Sequence, residues 1–240
     1  MSDQKKISGL TIFFPAYNDG GTIPSMVLLA QIAARAITDN YEIIAVNDGS
    51  KDHTPLVLDE LERQIPQLRV IHHPQNKGYG AALRTGFASA SKEWIFYTDG
   101  DAQYNPLELH LLVEALRDDV DIVNGWKISR NDPFIRILLG NIYNFGVKLL
   151  FGLHLKDVDC DYRLMRRSIF SAIELESNTG SICVEMIKKI QDAGFKFAEV
   201  PVSHHHRQYG HSQFFNWRRL LRTVHHLFRL WWKLVLKKQR

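Results

Sequence analysis

Trp94-Ile95-Phe96-Tyr97-Thr98-Asp99-Gly100-Asp101-Ala102-Gln103 is an apolar run that ends on two carboxylates one residue apart. Its length and its aromatic and β-branched content are those of a short buried strand. Two carboxylates at a strand end, with glycine between them, suit a tight turn that grips one divalent cation, and such a cation commonly neutralises phosphate. Asp-x-Asp alone is a weak signal, because ordinary surface turns use the same residues. Its meaning rests on the surrounding chain.

Comparable β-rich runs occupy 10–14, 41–46, 68–72 and 121–125, and helical patterns fill 22–37, 54–64, 80–91 and 106–116 between them. Strands alternating with helices, with near-continuous apolar strands, predict an α/β fold with a mostly parallel central sheet covered by helices on both faces. Asp52 or Thr54 caps the second helix, with Pro55 in its first turn, and Asn105-Pro106 opens the fourth. In such a sheet, ligands bind beyond the carboxyl ends of the strands. The unusual residues fall there: Pro15-Ala16-Tyr17-Asn18-Asp19-Gly20-Gly21, then Asn47-Asp48-Gly49-Ser50-Lys51-Asp52, then Asn76-Lys77-Gly78-Tyr79-Gly80, then Asp99-Gly100-Asp101. Four polar turns at one sheet edge favour a binding site. The Gly-x-Gly is not a dinucleotide fingerprint, since it follows the third strand and lacks the third spaced glycine.

The chain has 240 residues, 45% of them hydrophobic and 23% charged, an ordinary globular composition. No secretory signal is evident, and no apolar run reaches the roughly 18 residues of a membrane span. Cys160 and Cys183 lack metal-ligand spacing. The net charge of +4 hides an asymmetry: nine basic residues and no acidic one follow Glu199, which leaves residues 1–199 at −5. An acidic body with a basic tail points to an anionic partner.

Taken together, the loops resemble the family 2 glycosyltransferases, whose fold is the GT-A nucleotide-diphospho-sugar transferase fold. The resemblance covers about 8–215. Within the family, the chain is most similar to the dolichyl/polyprenyl-phosphate mannosyltransferase branch. That likeness rests on Gln103 two residues beyond Asp101, on Asp157-Val158-Asp159-Cys160-Asp161-Tyr162-Arg163, and on Val200-Pro201-Val202 leading to Arg207-Gln208-Tyr209-Gly210-His211-Ser212. The chain departs from the branch at Cys160-Asp161-Tyr162-Arg163, where Ser- or Cys-Gly-Phe-Arg is usual, at Trp126-Lys127 for Ser-Arg, and at Gln213 for Lys.

The resemblance implies a catalytic domain over 1–215, with a nucleotide half at about 8–103 and an acceptor half at about 104–215. It implies an inverting enzyme that moves a sugar, mannose or glucose, from a GDP- or UDP-sugar to a polyprenyl or dolichyl phosphate. It assigns Mg2+ or Mn2+ to Asp99 and Asp101, with Gln103 close by; a helix-entry cap is the alternative for Gln103. Asp48 is expected at the base, or in an Asx turn with Gly49. Tyr17 is expected to pack on the base, Pro15 to shape the first loop, Asn18 to bind the nucleotide-sugar, and Lys77 or Arg84 to meet phosphate. Gly78 and Gly80 permit close backbone approach. Lys127, Arg136, Arg163, Arg207 and Ser212 are candidates for the acceptor phosphate, with Arg130 a weaker one. Asp159 and Asp161 are candidate bases if the acceptor is instead a glycan or glycolipid hydroxyl. A non-catalytic nucleotide-sugar-binding protein is the rival from another class.

On a helical wheel, residues 217–238 place Arg218, Arg219, Arg222, Arg229, Lys233 and Lys237 on one side. Trp217, Leu220, Leu221, Val224, Leu227, Phe228, Trp231, Leu234 and Val235 fall on the other. A basic stripe opposite a tryptophan-rich apolar one is the pattern of a helix in a bilayer interface. The expectation is peripheral attachment at the cytoplasmic face of an anionic membrane over 216–240, with packing on the domain itself as the alternative and an integral-membrane partner as a further candidate. Nucleic acid is disfavoured, because the aromatics share the apolar side. A second greasy stretch, Phe134–Phe151, is too interrupted to span and suits the same interface. Consecutive His204-His205-His206 point to opposite faces of an extended segment, which makes a shared metal site unfavourable.

Overall fold

A computed structural model of the chain describes residues 7–128, 134–206, 209 and 217–237, without the side chains of 134–136 and 217–222. One sheet is built from β1 (Leu10–Ala16), β2 (Tyr41–Asn47), β3 (Leu68–His72), β4 (Trp94–Thr98), β5 (Ile122–Lys127), β6 (Tyr162–Arg166) and β7 (Phe197–Val202). Their order is β3-β2-β1-β4-β6-β5-β7. All neighbours pair in parallel except β6, which runs antiparallel between β4 and β5. The helices are α1 (Ile23–Ile37), α2 (Thr54–Gln64), α3 (Tyr79–Ser89), α4 (Leu109–Glu114, after a 3-10 turn at Pro106–Glu108), α5 (Phe134–Phe151), α6 (Ile169–Ala172), α7 (Ile182–Asp192) and α8 (Trp217–Trp231). A π-helical turn, Trp232–Leu236, continues α8.

Central β1 and β4 are buried along their whole length, which is why they read as unbroken apolar runs. Alternate side chains feed two cores. Ile12 and Phe14 join Met26 of α1, Leu58 of α2 and Leu112 of α4, whereas Phe13 joins Phe87 of α3, Ile95, Tyr97 and Ile187 of α7. Phe13 stacks on Tyr97 at 5.5 Å and meets Phe87 edge-on at 5.0 Å. Asn105 caps the 3-10 turn, its side chain accepting the Leu107 N–H at 3.0 Å, and the Asp52 carboxylate accepts the Thr54 N–H at 3.0 Å where α2 begins.

The sheet order reverses between β1 and β4: β2 and β3 lie beyond β1, and β6, β5 and β7 lie beyond β4. Adjacent strands whose connections leave in opposite directions open a crevice at their carboxyl ends. The Tyr17 loop and the Asp99-Gly100-Asp101 turn leave from those two ends. The sheet continues without a break from β4 through β6 into β5 and β7.

α8 is divided differently from the expected wheel. Leu227, Leu230, Trp231, Leu234 and Val235 pack on the second core, and the Trp231 indole N–H donates to the Leu150 carbonyl at 2.9 Å. Val224, Phe228, Trp232 and Leu236, spaced every four residues, face outward. Among the described residues no helix is long and apolar enough to cross a membrane.

Candidate active site

The four polar loops form a continuous hydrogen-bonded ring. Asn18 sits at φ +57°, a left-handed conformation that asparagine tolerates. Its N–H donates to Ser50 Oγ at 3.0 Å, and its Oδ1 accepts the Lys51 N–H at 2.8 Å, joining the first loop to the second. The second loop holds the third through Asp48, whose buried carboxylate accepts the N–H groups of Lys77 and Gly78, each at 2.9 Å. Gly49, at φ +65°, closes this contact, because a Cβ there would fall 2.4 Å from Asn76 N. The third loop reaches the fourth through Tyr79, whose hydroxyl donates to Asp99 Oδ1 at 2.9 Å. Finally, the Thr22 hydroxyl donates to the Gly100 carbonyl at 2.8 Å and returns the ring to the first loop.

Asp48 is further engaged by His73, whose Nδ1 lies 2.7 Å from Oδ1 while Nε2 lies 2.9 Å from Thr85 Oγ1. Nothing in the sequence singles out His73, yet it is a buried support for an expected base-binding residue. The exposed ring of Tyr17 stands at the rim, as a base-stacking residue must. Pro15 is buried within β1.

Negative charge concentrates at the floor of the crevice. The Asp99 carboxyl is held well above the usual carboxylate range by burial, then by Asp161 and Asp101, with the Tyr79 hydrogen bond opposing. Burial with Asp161 and Asp99 likewise keeps the Tyr79 and Tyr97 phenols protonated, and therefore donors. Asp101 is buried and accepts the Gln103 N–H at 3.1 Å. Gln103 is tied to the segment after β7: its Nε2 donates to the His205 carbonyl at 3.1 Å, and its own carbonyl accepts the His205 N–H at 2.8 Å. The cap before Pro106 belongs to Asn105, not to Gln103. His204 packs against Tyr104 at 5.1 Å while His205 and His206 are exposed, and among the described residues no three His, Cys, Asp or Glu side chains converge as a metal set.

Across the crevice the 157–161 loop faces the same floor, Asp161 lying close enough to raise the Asp99 carboxyl. Burial pushes the Asp159 carboxyl up to about 7, with Asp161 and Asp157 adding to the rise and Lys127 opposing it. Asp161 accepts the Tyr97 hydroxyl at 2.9 Å and the Cys183 thiol at 3.2 Å. Two expected phosphate ligands are placed otherwise. Arg163 is fully buried, its guanidinium donating to Asn124 Oδ1 at 2.6 Å, to the Tyr97 hydroxyl and to the Val158 carbonyl. It is a strut beneath the loop and presents no face to the crevice. Lys127 donates to the Asp159 carbonyl at 2.9 Å and pairs with Asp157 at 3.3 Å, so it too secures the loop. Arg84 donates to the Asn178 side chain, whereas Lys77 is exposed. Gly78 and Gly80 do provide a close approach, but to the backbone of Ser177 and Asn178. Arg130, Arg207, Ser212 and the side chain of Arg136 lie outside the described residues.

The family model described as glycosyl transferase family 2 matches residues 11–174, a span that holds the whole ring and the 157–161 loop. This chain belongs to glycosyl transferase family 2. Among similar curated members is the glycosyltransferase AglD of Haloferax volcanii, 29% identical over 237 residues, covering 95% of this chain and 38% of that protein. Another is the undecaprenyl-phosphate 4-deoxy-4-formamido-L-arabinose transferase of Aeromonas hydrophila subsp. hydrophila, 29% identical over 210 residues and covering 85% of this chain and 62% of the relative. The chain thus spans between about two fifths and three fifths of these relatives' lengths. The fold matches glucosyl-3-phosphoglycerate synthase from Mycobacterium tuberculosis with a TM-score of 0.72 at 16% identity, covering 94% of this chain and 79% of that one. A complex of the same synthase with Mn2+, UDP and glucosyl-3-phosphoglycerate superimposes with a TM-score of 0.69. The expected GT-A fold is therefore the observed one.

Proposed function

We propose that this family 2 glycosyltransferase moves a sugar, mannose or glucose, from a GDP- or UDP-sugar to a polyprenyl or dolichyl phosphate at an anionic membrane surface, with inversion at the anomeric carbon. The observation that carries the reading is the hydrogen-bonded ring, which presents Asp99 and Asp101 together at the sheet's switch point. Their hard oxygen donors fit Mg2+ or Mn2+. So does the raised Asp99 carboxyl, since uncompensated negative charge in a crevice is relieved by a cation. Bound there, the cation supplies Lewis-acid stabilisation of the leaving diphosphate.

The chain's own residues do the rest. Asp48, fixed by His73 and two backbone N–H groups, retains acceptor capacity for a base, and Tyr17 offers its ring. Tyr79 holds Asp99 in place. A lipid phosphate is already an anion near neutral pH, so its attack needs orientation more than a strong base. The membrane surface is supported by the outward residues of two helices. Six apolar side chains of α5 are exposed, Phe145 and Leu149 at 70% and 72%, and Phe228 and Trp232 are exposed on α8 and its continuation at 59% and 48%. Contiguous apolar surface of this kind marks an interaction face. The undecaprenyl-phosphate substrate in the name of the Aeromonas relative agrees with a lipid acceptor.

A second reading, transfer to a glycan or glycolipid hydroxyl, is favoured by one observation. Asp159, its carboxyl pushed up to about 7, and Asp161 sit beside the crevice floor with the chemistry of general bases. Transfer of labelled sugar from GDP- and UDP-donors, offered polyprenyl phosphate or a sugar acceptor with Mn2+, separates the two. The expected product is the lipid-linked sugar. Product on the hydroxyl acceptor alone would reject the lipid reading, and failure of every donor to raise the melting temperature would reject the donor site.

A further inference from the structure

One segment, 174–178, takes no part in the chemistry above yet touches both the donor loop and the C-terminal helix. From the core side it is held by Glu185, a buried carboxylate that accepts the N–H groups of Glu176 at 3.0 Å and Ser177 at 2.9 Å. Glu185 is paired with buried Lys189 at 2.9 Å, and Lys189 also donates to the Glu174 carbonyl at 2.5 Å. The segment's shape is therefore fixed by backbone hydrogen bonds to a compensated buried charge.

Against the donor loop the contact is backbone to backbone. The Gly80 N–H donates to the Asn178 carbonyl at 3.1 Å. A Cβ on Gly78 would fall 2.3 Å from Asn178 O, and one on Gly80 would fall 2.2 Å from Ser177 O, so both positions need glycine because of this segment. Between those glycines stands Tyr79, whose hydroxyl holds Asp99, and the N–H groups of Lys77 and Gly78 hold Asp48. A shift of Ser177 and Asn178 is thus passed to the donor site with no flexible side chain to absorb it.

On its outer side the segment meets the C-terminal helix. Lys233 Nζ lies 2.6 Å from both carboxylate oxygens of Glu176, which also faces Lys189 at 3.5 Å. Beside that pair a cavity of about 470 Å³, lined by Ser177, Glu185, Phe228 and Arg229 among others, separates helix from segment. The ion pair bridges the gap, and Lys233 immediately follows outward-facing Trp232.

We infer that segment 174–178 positions the donor loop, and that the Lys233–Glu176 pair links the seating of the C-terminal helix to affinity for the nucleoside diphosphate. This rests on the donor-site reading proposed above. Glu176 and Lys233 touch neither donor nor acceptor; they act through Ser177, Asn178 and the donor-loop backbone. Helix seated, the carbonyls of Ser177 and Asn178 hold Gly78–Gly80 in place. Helix displaced, the loop loosens and the nucleotide binds less tightly.

The test is nucleotide binding to the full chain by calorimetry, with Mn2+ and either UDP or GDP, alongside hydrogen exchange at the Gly80 amide. Lys233→Met and Glu176→Gln should each weaken binding about two- to fivefold, the range expected of a partly exposed ion pair. Donor KM should rise with kcat little changed, and Gly80 should exchange faster, neither of which a loss of general stability would produce selectively. The double variant should be no weaker than either single one, because one pair carries the effect. Singles that bind nucleotide like wild type, or losses that add in the double variant, would overturn the link. A wild-type chain that binds neither nucleotide would overturn the donor reading itself, and this inference with it.

Discussion

The two sides of the crevice hold their polar groups by different means. On the proposed donor side, many hydrogen bonds between loops share the task, and among the described residues Asp99 carries only one of them, through Tyr79. On the acceptor side, one fully buried guanidinium, that of Arg163, ties β4, β5 and the 157–161 loop through Tyr97, Asn124 and Val158. In the proposed reading the donor-side charge serves the chemistry, whereas the central charge of the other side, that of Arg163, is structural. Substitutions on the two sides should therefore separate activity from stability.

The largest effect is expected at Arg163. Arg163→Met removes a buried cation and strands the Asn124 and Val158 acceptors beside Asp161, a class of change that costs about 3–5 kcal/mol. Urea unfolding measures it, and a loss below about 1 kcal/mol would break the assignment of Arg163 as a strut. Asp101→Ala should do the reverse. We expect kcat to fall about 100-fold or more, the loss typical of a group that stabilises developing charge. Its melting temperature should hold or rise, since a like charge near Asp99 is gone. A variant with full turnover would end the case for a catalytic carboxylate pair.

A smaller effect tests the outward face. Phe228→Ser and Trp232→Ser, both at exposed positions, should each reduce partition onto anionic vesicles about tenfold and leave unfolding unchanged; burial of an apolar side chain in an interface is worth about 1.5–3 kcal/mol at most. Leu234→Ser should instead destabilise the fold, because Leu234 packs on the second core. Deletion of the whole tail is a poorer probe, since it uncovers that core. Vesicle binding equal to wild type in both exposed variants would sink the membrane face.

The same contrast explains what the sequence made legible. β1 to β4 and the helices between them follow one another in the alternation of a parallel sheet, so periodicity and turn residues locate them within a residue or two. The four loops then fall at one edge by topology alone. The acceptor half breaks that rule. β6 is a five-residue antiparallel strand carrying two arginines, and β7 contains Pro201 and is only partly buried, so neither announces itself as a strand. Arg163 reads as a phosphate ligand because its partners, Asn124 and Tyr97, lie 39 and 66 residues away in the chain. The role of His73 was hidden for the same reason: its contact with Asp48 exists only once β2 and β3 pair. α8 shows a further limit, since a wheel finds an apolar side without saying how much of it the domain itself covers.

The smallest expected effect is in the pH dependence of stability, and it tests both sides at once. The Asp159 carboxyl, ordinarily near 3.8, lies at about 7 in the folded protein, chiefly through burial. A folded state that binds this proton more tightly than the unfolded chain is favoured at low pH, and that advantage is lost as pH rises from about 4 through 7. Stability should fall across that window by about 1–2 kcal/mol, after allowing for the solvent that reaches the side chain. Asp99, raised in the same direction by burial and its acidic neighbours, contributes with the same sign, so Asp159→Asn should reduce the slope without abolishing it. Lys127→Met should move the window upward, because Lys127 opposes the rise at Asp159. Urea unfolding at several pH values without added metal reads all three. A slope that is unchanged in Asp159→Asn but vanishes in Asp99→Asn would move the titrating charge to the donor side, and with it the case for a base among the acceptor-side carboxylates.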